Sequence, residues 1–291
     1  MAVKQIKKTG MVLLGLFRLD DPEPQLVKGA ITGVDDSSDT ASARAEKRLL
    51  QAGGFSGVLT VIFVVSGFLV GDRGASLSGE LVGTFQTYGE PLGVFLSNLI
   101  QGTTPNIIGR ILLFVASPLA ILFFLALYQS VRRSSFGYSL LGTVTGILAA
   151  TSFAIPLLAQ GPVSLAIADV YSRAAAADKG TVVTVAQAID QSIGLTVANN
   201  VFLTAGLVLL MITFLAIGLA MMKNASFGRG LGWMSIIFSV ISILIFTGGS
   251  LVDRHGIAIL PTTMFAMIWF FLIGSKVYGI SRPNREHPGG R

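Results

Sequence analysis

Long uncharged stretches alternate with short charged ones along this chain. Ile111 to Tyr128 and Val201 to Met222 contain no Asp, Glu, Lys or Arg, and a helix needs about 20 apolar residues to cross the hydrocarbon of a bilayer. The pattern predicts spans over Gly53 to Val70, Ile107 to Ser130, Ser139 to Leu158, Leu195 to Met222, Leu231 to Leu251 and Ile257 to Ile280. Only helices and closed barrels satisfy the backbone in lipid. The runs are continuous rather than alternating and about twice as long as a barrel strand, which selects helices. The expected fold is all-α, a polytopic transmembrane helical bundle of about six spans.

Composition agrees with the pattern. Of 291 residues, 52% are hydrophobic and 12% charged, against roughly 25% charged in an ordinary soluble domain. The absence of cysteine removes disulfides, thiolate metal sites and cysteine nucleophiles. A net charge of +6 invites a nucleic-acid reading, but the cations flank apolar runs on alternate sides, which is a topological signal, so no nucleic acid is expected as a partner. The N-terminal arm, the loops at Arg132/Arg133 and Lys223/Arg229, and the tail with Lys276, Arg282, Arg285 and Arg291 hold 16 of the 21 Lys and Arg residues. Arg73, Arg110, Arg173, Lys179 and Arg254 are the others. The positive-inside rule then places both termini in the cytoplasm, in a multi-pass protein of the cell membrane.

Three regions follow: a cytoplasmic arm over 1–50, a six-helix transmembrane domain over 51–280 and a cytoplasmic tail over 281–291. In the arm, Lys4, Lys7 and Lys8 precede the apolar run Met11 to Phe17. That run is short and lacks a small-residue cleavage pattern, so it is expected to be retained as an interfacial helix. The polar stretch Val34 to Ala43 reads as a flexible or partner-bound link. On the outer side, Gly71 to Asn106 reads as irregular, with Gly89, Pro91 and Gly93, while Val163 to Ala177 carries apolar residues at helical spacing that suit the membrane surface.

Two stretches echo each other. Phe124-Leu125-Ala126-Leu127 is followed by Ser135-Phe136-Gly137 and Gly142; Phe214-Leu215-Ala216-Ile217 is followed by Ser226-Phe227-Gly228 and Gly232. Each covers an inward helix, a basic turn and the next helix, which reads as duplicated helical hairpins in parallel orientation, with chance similarity between apolar sequences as the alternative. Leu125-Ala126-Leu127-Tyr128 followed by Arg132-Arg133, and the later turn Gly230-Leu231-Gly232-Trp233, resemble the pattern of an uncharacterised family of six-helix prokaryotic integral membrane proteins, a domain of unknown function. The resemblance covers about Ile107 to Ile280, implies the same six-helix layout and carries no reaction. The arm and the first outer loop depart from it.

Few residues suggest chemistry. Gly142, Gly146 and Ala150 lie four apart and are expected to pack a neighbouring helix closely, with a groove for a lipid tail or pigment as the alternative; Gly228 and Gly232 repeat the spacing in a turn. Arg110 adjoins the second span, where it either snorkels to headgroups or meets Asp190, Asn199 or Asn200. Asn199 and Asn200 are candidates for a ligand at the helix entrance, or one of them caps the helix. His255 sits in a solvated turn, and Pro118, Pro156 and Pro261 read as architectural kinks. Trp233 suits the interface, whereas Trp269 falls mid-span and needs a partner for its indole.

No nucleotide-binding glycine loop, no histidine pair at metal spacing and no carboxylate pair within a span occurs. Neither an enzyme, a metal nor a cofactor is expected, and the absence of acidic groups inside spans disfavours a proton-coupled carrier. The expectation is an accessory or structural subunit of a larger membrane assembly, with membrane lipids and either other subunits or self-association as partners. The alternative is a transporter or binding protein for a lipid-like or apolar molecule.

Overall fold

The computed structural model describes residues 36–71, 92–101, 103–190, 192, 201–251 and 256–282. The interfacial helix expected near Met11 to Phe17, the amides Asn199 and Asn200, His255 and the tail beyond 282 lie outside the described residues. The chain divides into two compact units, Met1–Arg44 and Ala45–Arg291. Of the first, only Asp36–Arg44 is described, and it is helical. No strand occurs among the described residues.

Eight helices are described: α1 (Asp36–Gly71), α2 (Leu92–Gln101), α3 (Thr103–Val131), α4 (Phe136–Arg173), α5 (Lys179–Asp190), α6 (Phe202–Met222), α7 (Gly228–Leu251) and α8 (Gly256–Ser281). Six stretches within α1, α3, α4, α6, α7 and α8 are long and apolar enough to cross a membrane. The chain is a multi-pass helical membrane protein.

The six spans are not equivalent. α3 and α4 are antiparallel: Ser117 Oγ donates to the Ala150 carbonyl at 2.6 Å, and a Cβ on Gly146 would meet the Phe124 ring at 2.7 Å. α4 meets α6 through Gly142 against Ile217 and Thr145 against Thr213. Gly218 and Gly232 join α6 to α7, a Cβ on either coming within 2.9 Å of the other's carbonyl oxygen. Phe238 and Phe265 stack at 4.8 Å between α7 and α8, and Phe123 on α3 meets Phe270 on α8 at 4.9 Å. Five helices, α3, α4, α6, α7 and α8, thus close a ring.

Within Ala45–Arg291, α1 lies outside that ring in the groove between α3 and α8. Gly53 abuts Ala126, Gly54 abuts Tyr278, and a Cβ on Gly57 would come within 2.6 Å of the Phe123 ring. Its buried hydroxyls return to their own helix, Ser56 to Gly53 O and Thr60 to Ser56 O, both at 2.8 Å. Its large residues Phe55, Ile62, Val65 and Leu69 are exposed. Small residues inward and large ones outward is the arrangement that lipid favours, because tails solvate Leu as well as another helix does and only close backbone approach adds attraction.

Helix bounds depart from expectation in three places. α1 begins at Asp36, inside the stretch read as a flexible link, and Ala43 to Arg48 are strong helix formers. The first outer loop is not wholly irregular, since Leu92–Gln101 is helical and α3 begins at Thr103, with Pro105 in its first turn where a missing N–H costs nothing. The third span continues without a break into Val163 to Arg173, so that segment is the end of α4 rather than a separate surface helix.

α4 is 38 residues long, about 57 Å at 1.5 Å per residue, against about 40–45 Å for a bilayer with its headgroups. Its last turns therefore stand clear of the hydrocarbon. There Ile167 and Ala168 bury against Leu96 and Leu99 of α2 and Ala186 of α5, forming a second apolar cluster. A Cβ on Gly93 would sit 3.0 Å from the Tyr171 hydroxyl, and the Lys179 ammonium lies 4.9 Å from the centre of the Tyr171 ring.

Two measurements check this arrangement. Gly218→Val drives a side chain into the Gly232 carbonyl and should lower stability in detergent by roughly 1–3 kcal/mol, while Gly248→Ala, at an open position on α7, should raise it by roughly 0.5–1 kcal/mol. Because the chain has no cysteine, Asp178→Cys and Arg132→Cys give clean single-thiol reporters. An impermeant maleimide should reach them from opposite sides of a sealed vesicle.

Candidate functional site

In lipid no water meets a buried donor, so a strong one such as an indole N–H is stabilised by a partner within the protein. Trp269 is fully buried, and its Nε1–H donates to Ser235 Oγ at 2.7 Å. Ser235 in turn donates to the Leu231 carbonyl at 2.9 Å, so the indole is held by a two-step chain in which each bond polarises the next. Around it pack Phe214 at 4.9 Å, Phe270 at 5.5 Å, Phe123 at 5.6 Å and Phe124 at 6.2 Å between ring centroids. Three helices of the ring thus send aromatic rings to its centre, while α7 supplies the acceptor and Gly146 of α4 makes room for Phe124.

The two echoing stretches meet at this point. Phe124 and Phe214 occupy matching places in the two hairpins, and both touch Trp269. At the same spacing Ala126 and Ala216, Leu127 and Ile217, and Val131 and Met221 are buried, whereas Leu125 and Leu215 are exposed at 43% and 38%. The second helices match as well, with Gly142 and Gly232, Thr145 and Ser235, Ala149 and Ser239, and Ser152 and Ser242 all buried. α3 and α6 therefore repeat one pattern of inward and outward positions, while α4 and α7 share it only in part: Thr143 and Ala150 are buried but Trp233 and Val240 exposed, and of the echoed phenylalanines Phe227 is buried and Phe136 exposed.

Hydroxyls line the seams of the ring. Thr145 and Thr213 share a hydrogen bond of 2.9 Å across α4 and α6, and Ser239 donates to the Met211 carbonyl at 2.8 Å across α6 and α7. Among the described residues, Thr143, Ser242 and Thr262 are buried with no hydrogen-bond partner.

Among the residues singled out from sequence, Gly142 and Gly146 face α6 and α3, where an added Cβ would strike Ile217 and Phe124, and Ala150 is buried with its carbonyl accepting from Ser117. Gly228 and Gly232 are not in a turn but in α7. Gly228, at φ 75°, starts the helix in a conformation that suits glycine, and Gly232 lies one turn further in against α6. Arg110 is half-buried in the first turn of the span 107–131. Asn199 and Asn200 lie outside the described residues, so the geometry does not unite them with Arg110. Among the described residues no three His, Asp or Glu side chains come together. The sequence reading missed the glycines of α1 and Gly218. The spacing Gly53-Gly54 and Gly57, small residues four apart, was the available signal.

The two ends of the bundle differ in charge. Arg133 pairs with Glu46 at 3.1 Å, Asn224 Nδ2 donates to the Ser130 carbonyl at 3.0 Å, and Gly54 touches Tyr278. These contacts bring the start of α1, both hairpin turns and the end of α8 to one end. Lys47 and Arg48, Arg132 and Arg133, Lys223 and Arg229, and Lys276 and Arg282 are all exposed there. Glu46 is the single acid at that end among the described residues from Ala45 onward. At the opposite end the Arg173–Asp169 pair, at 2.7 Å, and Asp178 with Lys179 are balanced.

The class that fold and site define is a polytopic helical membrane protein built on a five-helix ring with an aromatic centre. Comparison with protein families, with curated proteins and with solved structures found no match.

The Trp269–Ser235 bond can be tested by a double-mutant cycle. Ser235→Ala strands the buried indole N–H and should cost about 1–3 kcal/mol, whereas Trp269→Phe combined with Ser235→Ala should cost less than the two single changes added. Ser242→Ala removes a hydroxyl that has no partner and should leave stability unchanged or raise it by about 1 kcal/mol. Thermal unfolding in one detergent reads all of these.

Proposed function

We propose that the chain is a non-enzymatic structural or accessory subunit of a larger membrane assembly, lying with its basic end toward the cytoplasm. The observation that carries this reading is the filled centre of the ring. Trp269, Phe123, Phe124 and Phe214 are all less than 2% exposed. A carrier needs a lined path or a mid-membrane chamber, and among the described residues the level of Trp269 is filled by these rings.

One other feature favours a subunit over a solitary protein. At the opposite end, α2, α5 and the last turns of α4 form a small packed body held beyond the bilayer on a continuous helix. That body is a rigid platform of the kind on which an extramembrane partner can rest.

Purification from native membranes in mild detergent, followed by mass spectrometry of intact complexes, tests the proposal. A companion polypeptide or a defined oligomer should travel with the chain in fixed ratio. A solitary monomer at native abundance, or a monomer that retains one apolar small molecule in fixed ratio, would overturn the reading, and the second outcome would favour a carrier.

A further inference from the structure

The basic end carries more positive charge than the fold uses. Eight exposed cations face one acid from Ala45 onward, and that acid, Glu46, is already engaged by Arg133. Arg132, Arg133 and Lys223 do not project far into water, because the turns that hold them, between Val131 and Phe136 and between Met222 and Gly228, are a few residues long. Their depth is that of the helix ends.

Aromatic residues mark the same depth. Tyr128 and Tyr138 flank the first turn, Trp233 follows the second at 53% exposure, and Tyr278 closes α8. Tyrosine and tryptophan gather where hydrocarbon meets headgroups. Lys223 holds its ammonium 5.5 Å from the Tyr138 ring centre and Arg282 its guanidinium 4.7 Å from that of Tyr278, so the cations lie directly over this belt. Negative charge at that depth is lipid phosphate, whereas a nucleic acid or an acidic protein would approach from the aqueous side.

The seam between the two hairpin turns is the sharpest point of the patch. The Asn224–Ser130 bond draws the turns together, and Lys223 reaches across to the first turn of α4. Gly137, Gly228 and Gly230 have nothing within 4 Å of where a side chain would begin, which leaves the backbone there open. The first turns of α4 and α7 add the positive ends of their dipoles beside Arg132 and Lys223. We propose that this seam binds the headgroup of an anionic phospholipid, with Arg132 and Lys223 as the phosphate-contacting residues.

The full chain in detergent, incubated with equal amounts of phosphatidylglycerol and phosphatidylcholine and read by native mass spectrometry, tests this. Phosphatidylglycerol should be retained in preference, and R132Q/K223Q should reduce that preference by about 10- to 30-fold for two basic residues removed. R132K/K223R should keep it, and R173Q/K179Q, at the opposite end, should leave it unchanged. Equal loss in R132Q/K223Q and R173Q/K179Q, or no loss in either, overturns the proposal. Complete displacement of lipid by excess inorganic phosphate also overturns it, since the site would then recognise a free anion. Thermal unfolding of each variant identifies any loss of fold, and a misfolded R132Q/K223Q is replaced by R132Q and K223Q singly, each expected to lose part of the preference.

Discussion

One indole N–H organises the middle of this protein. In water an unpaired Trp269 nitrogen would bond to solvent, but in hydrocarbon the donor must be met from within. Ser235 meets it, and that single bond fixes α8 against α7. Once the indole is fixed, its faces and edges become surfaces that α3 and α6 cover with Phe123, Phe124 and Phe214, in the tilted and edge-on arrangements that aromatic quadrupoles prefer. The two hairpins already meet where α4 packs on α6, and Trp269, which belongs to neither, adds a contact shared by Phe124 and Phe214. The repeated phenylalanine of each hairpin is one half of a clamp whose contents come from α8.

Away from that centre, close approach replaces bulk. Gly218 against Gly232, Gly142 against Ile217 and Gly57 against Phe123 are sites where a single added carbon would collide. This follows from the solvent: lipid gives no reward for hiding a leucine, so attraction between spans depends on dispersion at short range and on the hydroxyl bonds that short range permits. Ser117 to Ala150 and Ser239 to Met211 are bonds of that kind, each joining a side chain to a carbonyl of a neighbouring helix. α1 shows the rule in its plainest form, glycines inward and phenylalanine outward.

The spans were legible in the sequence because their signal is length and lack of charge, which bilayer thickness imposes on any crossing helix. The echo between Phe124-Leu125-Ala126-Leu127 and Phe214-Leu215-Ala216-Ile217 was legible too, and the shared burial pattern gives it structural content. The extent of α4 was not. Pro156, read as a kink, and Pro162 lie inside it, and the helix passes through both. A proline costs a helix less where neighbouring helices hold the flanking turns in place, and α2 and α5 do so beyond Pro162. Trp269 announced its need for a partner, but which of several serines would supply it depends on helix order around the ring, and hydropathy carries no information on that.

The contrast between the two ends follows from how each hairpin turns around. At the basic end both reversals take only a few residues, so the cations stay at the helix ends, and the Asn224–Ser130 bond ties one turn to the other. At the opposite end α2 and α5 pack onto an overlong α4. A short turn fixes charge at a known depth and leaves no surface for elaborate contact. A folded body outside the membrane does the reverse, with balanced charge and a small apolar core of its own. Depth-specific electrostatics therefore belongs to the basic end and shape-specific contact to the other, with the buried cluster that α3, α4, α6, α7 and α8 build around Trp269 between them.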